Sequence, residues 1–183
     1  MIVIETPRLI LRKFREDDLD DLCVLYADHD IRRYFPDGVL NRDQTKEELD
    51  WYLQGGFPGH PELGLWATIH RTSGRFIGRC GLIPWTIDDK LEIETAYLIA
   101  RDFWRQGLGA EAAGALIRHG FTKLGLTRLI ALIDTENIAS IRTAEKTGFR
   151  FEREAVVEGT TAQLYSVSAT EGRSIDSSRG QRA

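Results

Sequence analysis

Apolar and polar positions alternate from Arg8 to Phe14, RLILRKF, and that period of two predicts a strand. In REDDLDDLCVLYADHD the period lengthens. Leu19, Leu22, Cys23 and Tyr26 fall on one helical face, and Asp17 and Asp18 suit a first turn, where the helix dipole favours negative charge. YFPDG is a turn, and Asn41-Arg42-Asp43-Gln44 has the form of a capping box that opens a second helix through about Leu53. After the loop GGFPGHPELG, the stretches 65–70 and 75–83 read as strands joined by Arg71-Thr72-Ser73-Gly74. Residues 91–99, LEIETAYLI, read as a longer strand with Glu92 and Glu94 on one face and Ile93 and Tyr97 on the other.

A helix is predicted to follow Gly107, with Leu108, Ala112, Leu116, Ile117, Phe121 and Leu124 as its apolar stripe. Residues 128–133 form a short strand. Asn137 caps a further helix that Gly148 ends, and 149–157 and 162–168 are the last two strands. The total is seven strands and about four helices, an α+β chain, with one domain expected over 1–169. The polar stretch TEGRSIDSSRGQRA, 170–183, is expected to be a disordered tail.

Composition narrows the function classes. A chain of 183 residues can bury a real core, and 42% hydrophobic with 28% charged residues is ordinary for a globular protein. The net charge of −4 gives no electrostatic footprint of a nucleic-acid binder, although a local basic patch stays open. No run of about 18 apolar residues predicts a spanning helix, so no membrane partner is expected. The start MIVIETPRLILR lacks the form of a secretory signal. Cys23 and Cys80 lie on apolar-patterned segments and read as buried thiols in a reducing compartment, so a cytoplasmic location is expected. Zinc-type Cys/His spacing does not occur, the four histidines are scattered, and no metal is expected.

The stretch with chemistry in it is FWRQGLGAEA, 103–112. Its G-L-G-A-E-A matches the dinucleotide pattern G-x-G-x-x-G/A. In that fold the first glycine follows its strand almost at once, within repeated βαβ units. Here Ala100 to Gln106 intervene, and the preceding hairpin implies antiparallel pairing. A nicotinamide oxidoreductase is therefore disfavoured. What survives is a glycine-softened entry into a helix, where free N–H groups and the positive end of the dipole suit phosphate oxygens.

FWRQGLGAEA resembles the acetyl-CoA pyrophosphate loop of the GCN5-related N-acetyltransferase (GNAT) superfamily, [RQ]-x-x-G-x-[GA]. Gly107 and Gly109 fill the last two fixed positions, and Trp104 replaces the first. That replacement resembles the branch of the ribosomal-protein N-terminal-alanine acetyltransferases. ETPRLILRKFREDDLDDL, GRFIGRCGL, EIETAYLI and NIASIRTAEKTGF resemble further segments of the same branch, in order, from residue 5 to about 150.

The resemblance implies a mostly antiparallel sheet splayed between the fourth and fifth strands, with acetyl-CoA in the gap. It implies that main-chain groups of Leu98 and Ile99 meet the cofactor arm or the developing oxyanion. Arg105, Gln106, Gly107, Leu108, Gly109 and Ala110 would hold the pyrophosphate, and Asn137 would contact the arm. Ser140 stands at the position of the hydroxyl that serves the leaving thiolate. The tyrosine common in the superfamily four residues before Gly-Phe is Ala144 here. Glu94 matches the acid of the fourth-strand motif as base, with Glu92 on the same face and water as alternatives.

An α-amino group, with pKa about 8, is neutral about one time in ten at pH 7, and a lysine amine less than about one time in a thousand. Weak base signals therefore tilt the acceptor toward a low-pKa amine, on a protein N-terminus or a small molecule. Arg32 and Arg33, read as exposed, are cations that an acidic acceptor can meet. A non-catalytic CoA-binding sensor or scaffold is the alternative, and a homodimer is left open.

Overall fold

The computed structural model describes residues 1–169. Its alternating stretches pair into one sheet: β1 (Ile2–Glu5), β2 (Leu9–Arg12), β3 (Gly64–His70), β4 (Phe76–Ile87), β5 (Lys90–Ile99), β6 (Arg128–Ile133), β7 (Arg150–Val157) and β8 (Thr160–Ser168). The spatial order is β1-β2-β3-β4-β5-β6-β8-β7. Every neighbouring pair is antiparallel except β5 and β6. The helices are α1 (Leu19–Tyr26), α2 (His29–Arg32), α3 (Arg42–Leu53), α4 (Leu108–Thr122) and α5 (Ile138–Lys146).

Two elements exceed the predicted seven strands and four helices. Ile2–Glu5 is only four residues of sheet edge, yet it pairs with β2. The single turn α2 forms because the Asp28 side chain accepts from the amides of Asp30 and Ile31. Asp17 and Asp18 lie in a 3-10 turn, Glu16–Asp18, that leads directly into α1 at Leu19, and there the Asp18 carboxylate is taken. It accepts from Arg12 Nη1 and Nη2 at 2.7 and 2.6 Å and from the Arg15 amide at 2.8 Å. Strand β4 runs four residues beyond Ile83, through Trp85, and turns into β5 at Asp88 and Asp89, both with positive φ. The capping box at Asn41 and Gln44 forms as predicted.

The sheet is covered on both faces. The stripe Leu108, Ala112, Leu116 and Ile117 of α4 packs with Ile77, Cys80, Leu82 and Ile93, and Phe121, Leu124 and Tyr97 lean against them. Leu22, Leu25 and Tyr26 of α1 and Leu49 of α3 cover the other face over Ala67 and Leu98. Between β5 and β6 a single pair, Glu94 opposite Ile130, joins the strands. Past it the sheet parts, and the C-terminal half of β5 runs on beside a gap. At Gly78, β4 and β5 come too close for a side chain: a Cβ there would lie 1.9 Å from the Leu98 carbonyl oxygen. Among the described residues no helix is long and apolar enough to cross a membrane. The expected tail, 170–183, lies outside the described residues.

Candidate active site

The gap is lined by β5 main chain. Ala100 N–H donates to Ile77 O at 2.6 Å, and Ala100 and Ile77 continue the register that sets Gly78 opposite Ile99. Main-chain groups along a strand alternate sides. Leu98 therefore directs its N–H and C=O at β4, while Tyr97 and Ile99 direct theirs at the gap. Of the two predicted main-chain partners, Ile99 faces the open side and Leu98 does not. The Ile99 carbonyl is already engaged by the Trp104 indole, whose Nε1 donates to it at 2.6 Å. Trp104 thus ties the glycine loop to the end of β5.

That loop ends on the N-terminus of α4. Arg105 and Gly107 both have left-handed backbone, φ 59° and 75°. Such turns aim successive N–H groups at one point, and a non-glycine residue there carries strain of about 1–3 kcal/mol. The first intrahelical bond is Glu111 N–H to Gly107 O, so the amides of Leu108, Gly109 and Ala110 lack partners within the helix. A Cβ at Gly109 would meet only the Tyr97 ring and Thr143, at 3.7 Å or more. The fold itself therefore has room for a side chain at 109.

Arg8, which carried no role in the sequence, pins this loop. Its Nη1 donates to Gln106 O at 2.8 Å and its Nε to Glu111 Oε2 at 2.5 Å. Glu111 also accepts from the Thr6 hydroxyl at 2.6 Å. Burial works to raise the Glu111 pKa, but Thr6 and Arg8 outweigh it and hold the carboxyl below its ordinary value. The carboxylate at the helix start thus stays ionised, with its charge paired to Arg8. A groove of about 530 Å³ runs from here between Arg8, Gln106, Gly107, Arg118 and Lys146.

Across the gap, Asn137 caps α5: its Oδ1 accepts from the Ser140 amide at 3.1 Å. The Ser140 hydroxyl lies 3.0 Å from the Tyr97 hydroxyl, which also reaches Ser140 O at 3.2 Å. Tyr97 faces the α4 side, as its place on the strand predicts, but the contact of its oxygen with Ser140 has no signal in the local pattern. Burial pushes its phenol up, and Ser140 and Thr143 offset part of that. Ala144 is buried in the core.

The opposite face of β5 holds both acids. Glu94 Oε2 accepts from Trp85 Nε1 at 2.6 Å. Burial raises its pKa above the ordinary value, and the Trp85 indole, the Leu132 main chain and the charge of Arg79 offset part of the rise. Glu92 is in a different position, since Arg128 Nε lies 3.0 Å away and Arg128 also pairs with Glu152 at 2.9 Å. Over this face Tyr34 donates to Glu136 O at 3.1 Å, carrying the 33–38 turn across to the start of α5. Arg32 departs from expectation. It is 2% exposed, lies against the Tyr26 and Phe35 rings, and bonds Gly38 O and Asp37. It is a buried, paired cation, whereas Arg33 is exposed.

The described arrangement has counterparts. A model of the acetyltransferase (GNAT) domain family matches residues 8–150. The chain is 34% identical over 149 residues to the uncharacterized protein YkkB of Bacillus subtilis, covering 81% of this chain and 85% of that one. It is 31% identical over 157 residues to the uncharacterized N-acetyltransferase p20 of Bacillus licheniformis, covering 83% and 84%. A crystal structure of a GNAT-family acetyltransferase from Bacillus anthracis superposes with a TM-score of 0.77 at 22% identity, covering 93% of this chain and all of that one.

Proposed function

The chain belongs to the GNAT acetyltransferase family, and from that premise we propose that it moves acetyl from acetyl-CoA to a primary amine by direct attack. One observation carries the reading. The gap-facing main chain of Tyr97 and N–H of Ile99, the free N-terminus of α4 and the Ser140 hydroxyl lie around the parting of β5 and β6. Acetyl-CoA supplies the activated acyl group. The amides of Leu108, Gly109 and Ala110, with the Arg105–Gly107 turn, suit its pyrophosphate. The gap-facing main chain of Tyr97 and the Ile99 N–H suit the amides of its arm, as a neighbouring strand would. Asn137 borders the same space at the start of α5.

Three roles follow for this chain's residues. A gap-facing N–H, of Ile99 or Tyr97, stabilises charge that grows on the carbonyl oxygen. Glu94 takes the amine's proton, directly or through a water, because Glu92 is held by Arg128. Ser140 gives a proton or hydrogen bond to the departing sulfur, with the Tyr97 hydroxyl behind it. Ser140→Ala is expected to lower kcat about tenfold, the worth of one such hydrogen bond, and to leave the Kd for acetyl-CoA within twofold. An unchanged kcat would remove Ser140 from the reaction.

The cofactor assignment is tested by melting. At about 100 times its Kd, acetyl-CoA should add about 2.7 kcal/mol of stability, or roughly 5–10 °C in Tm for a chain of this size. NAD and NADP should add nothing. No shift with acetyl-CoA or CoA would refute the assignment. Both a protein N-terminus and a small-molecule amine fit the reading, and CoA release across a panel of each decides between them.

A further inference from the structure

Arg79 is a buried cation outside the groups assigned to acetyl transfer. It stands on β4 opposite Leu98, is 7% exposed, and its Nε is buried with no hydrogen-bond partner. Its Cζ lies 5.5 and 5.6 Å from the centroids of the Tyr26 and Phe35 rings. The Tyr26 hydroxyl hydrogen-bonds the guanidinium, and of the acids near its charge Glu48 is engaged by the hydroxyls of Tyr26, at 2.7 Å, and Tyr52, so Arg79 has no carboxylate of its own and its Nε is left over. The contrast with Arg32 is direct. Arg32 stacks on the same two rings, but its guanidinium bonds Gly38 O and the Asp37 carboxylate. Ring faces stabilise a cation by roughly 0.5–2 kcal/mol, far less than desolvating it costs, so buried charges are nearly always paired.

Its place in the sheet says where a partner would come from. Arg79, Ile83 and Trp85 alternate onto one face of β4, and Ile83 is opposite Glu94. Arg79 therefore shares the face of the proposed base, beneath the turn that carries Phe35 and Tyr34. We propose that the Arg79 guanidinium receives a carboxylate of the acceptor, so that the amine presented to Glu94 belongs to a molecule carrying a negative charge several bonds away. This deepens the acetyltransferase reading and rests on it. A carboxylate matches the two-donor edge of a guanidinium, and the apolar rings around it exclude competing water. Glu94 and Leu98 are four residues apart, roughly 13 Å along the strand. Two side chains and a short acceptor can span that length.

Matched amines isolate the charge: glutamate α-amide against glutamine α-amide, aspartate α-amide against asparagine α-amide, and glycine against glycinamide. In at least one pair the carboxylate member should have a kcat/KM at least tenfold higher. Arg79→Gln should lower that value on the order of 10²-fold and abolish the preference, the effect of unpairing a buried charge. Arg79→Lys should fall between, and the neutral member should change less than twofold. Calorimetry on the CoA complex should show the N-acetylated carboxylate product binding at least tenfold more tightly than its amide, which tests the wild type even if Arg79→Gln does not fold. Equal turnover and equal product binding within every pair would overturn the inference, as would equal losses for both members. A normal melting shift with acetyl-CoA but no acetylation of any of these amines would also overturn it, leaving the cofactor site standing. Absence of that shift would instead sink the acetyltransferase reading.

Discussion

Replacing Glu94 with Gln is expected to lower kcat about 10³-fold, within the range that a positioned general base contributes, while the Kd for acetyl-CoA stays within twofold. Gln keeps the size of the side chain and can still accept from Trp85, so the loss reports the missing base. The pH profile separates this from a packing defect. Burial raises the Glu94 pKa, so in the wild type activity should climb with pH through a limb above the ordinary carboxylate range, as the base ionises. In Glu94→Gln that limb should vanish. A variant that keeps the limb would show that the base is elsewhere.

The same substitution should stabilise the fold at neutral pH. A carboxyl whose folded pKa lies above its unfolded value costs stability once pH exceeds the folded pKa, and costs nothing below the unfolded one. Glu94→Gln should therefore unfold at higher denaturant than wild type at pH 7. The advantage should fade as pH falls through the window between the raised pKa and about 4.3. Activity and stability move in opposite directions because the fold holds a group it would rather expose.

Gly78→Ala is expected to remove more than about 4 kcal/mol of stability, the range reserved for severe steric or buried-charge defects, and to yield little folded protein. The added Cβ would sit 1.9 Å from the Leu98 carbonyl oxygen, and the backbone there has φ 155°, outside the usual range for a side-chain-bearing residue. Neither atom is the end of a flexible side chain, so β4 and β5 must separate. Whatever folded should bind CoA more weakly, because Leu98 lies between the two residues that face the gap. Gly114→Ala is the control. It lies in α4 with only Arg118 Nη1 nearby, at 3.8 Å, and should gain about 0.5–1 kcal/mol as helix glycines do. Parallel denaturant melts give both numbers, and equal behaviour of the two variants would refute the steric argument.

How much of this was legible depends on how far apart the deciding atoms are in the chain. The capping residues Asn41 and Asn137, the α4 stripe and the division of β5 into an acidic and an apolar face all rest on neighbours within a few positions, and all are present. The splay has no signature in periodicity and entered through the resemblance alone. Choosing between Glu92 and Glu94 requires Arg128 on another strand and Trp85 across a hairpin. Arg32 and Arg33 are adjacent and alike in sequence, yet one is sealed under Tyr26 and Phe35 by a single turn of helix too short to show a period. Tyr97 illustrates both sides of the limit. Its face is predictable from alternation, whereas its hydroxyl contact depends on where α5 docks.

The lone pair between Glu94 and Ile130 gives the molecule an edge in the middle of its sheet. Outer edges invite pairing with other chains and must be blunted against it. This one lies inside the sheet, with β6 as its next neighbour in the strand order, so it is not an outer flank. On the proposed reading, the pantetheine arm of acetyl-CoA takes the place of the absent strand. Occupying the gap would then finish the sheet, and the same unspent hydrogen bonds would serve both cohesion and recognition.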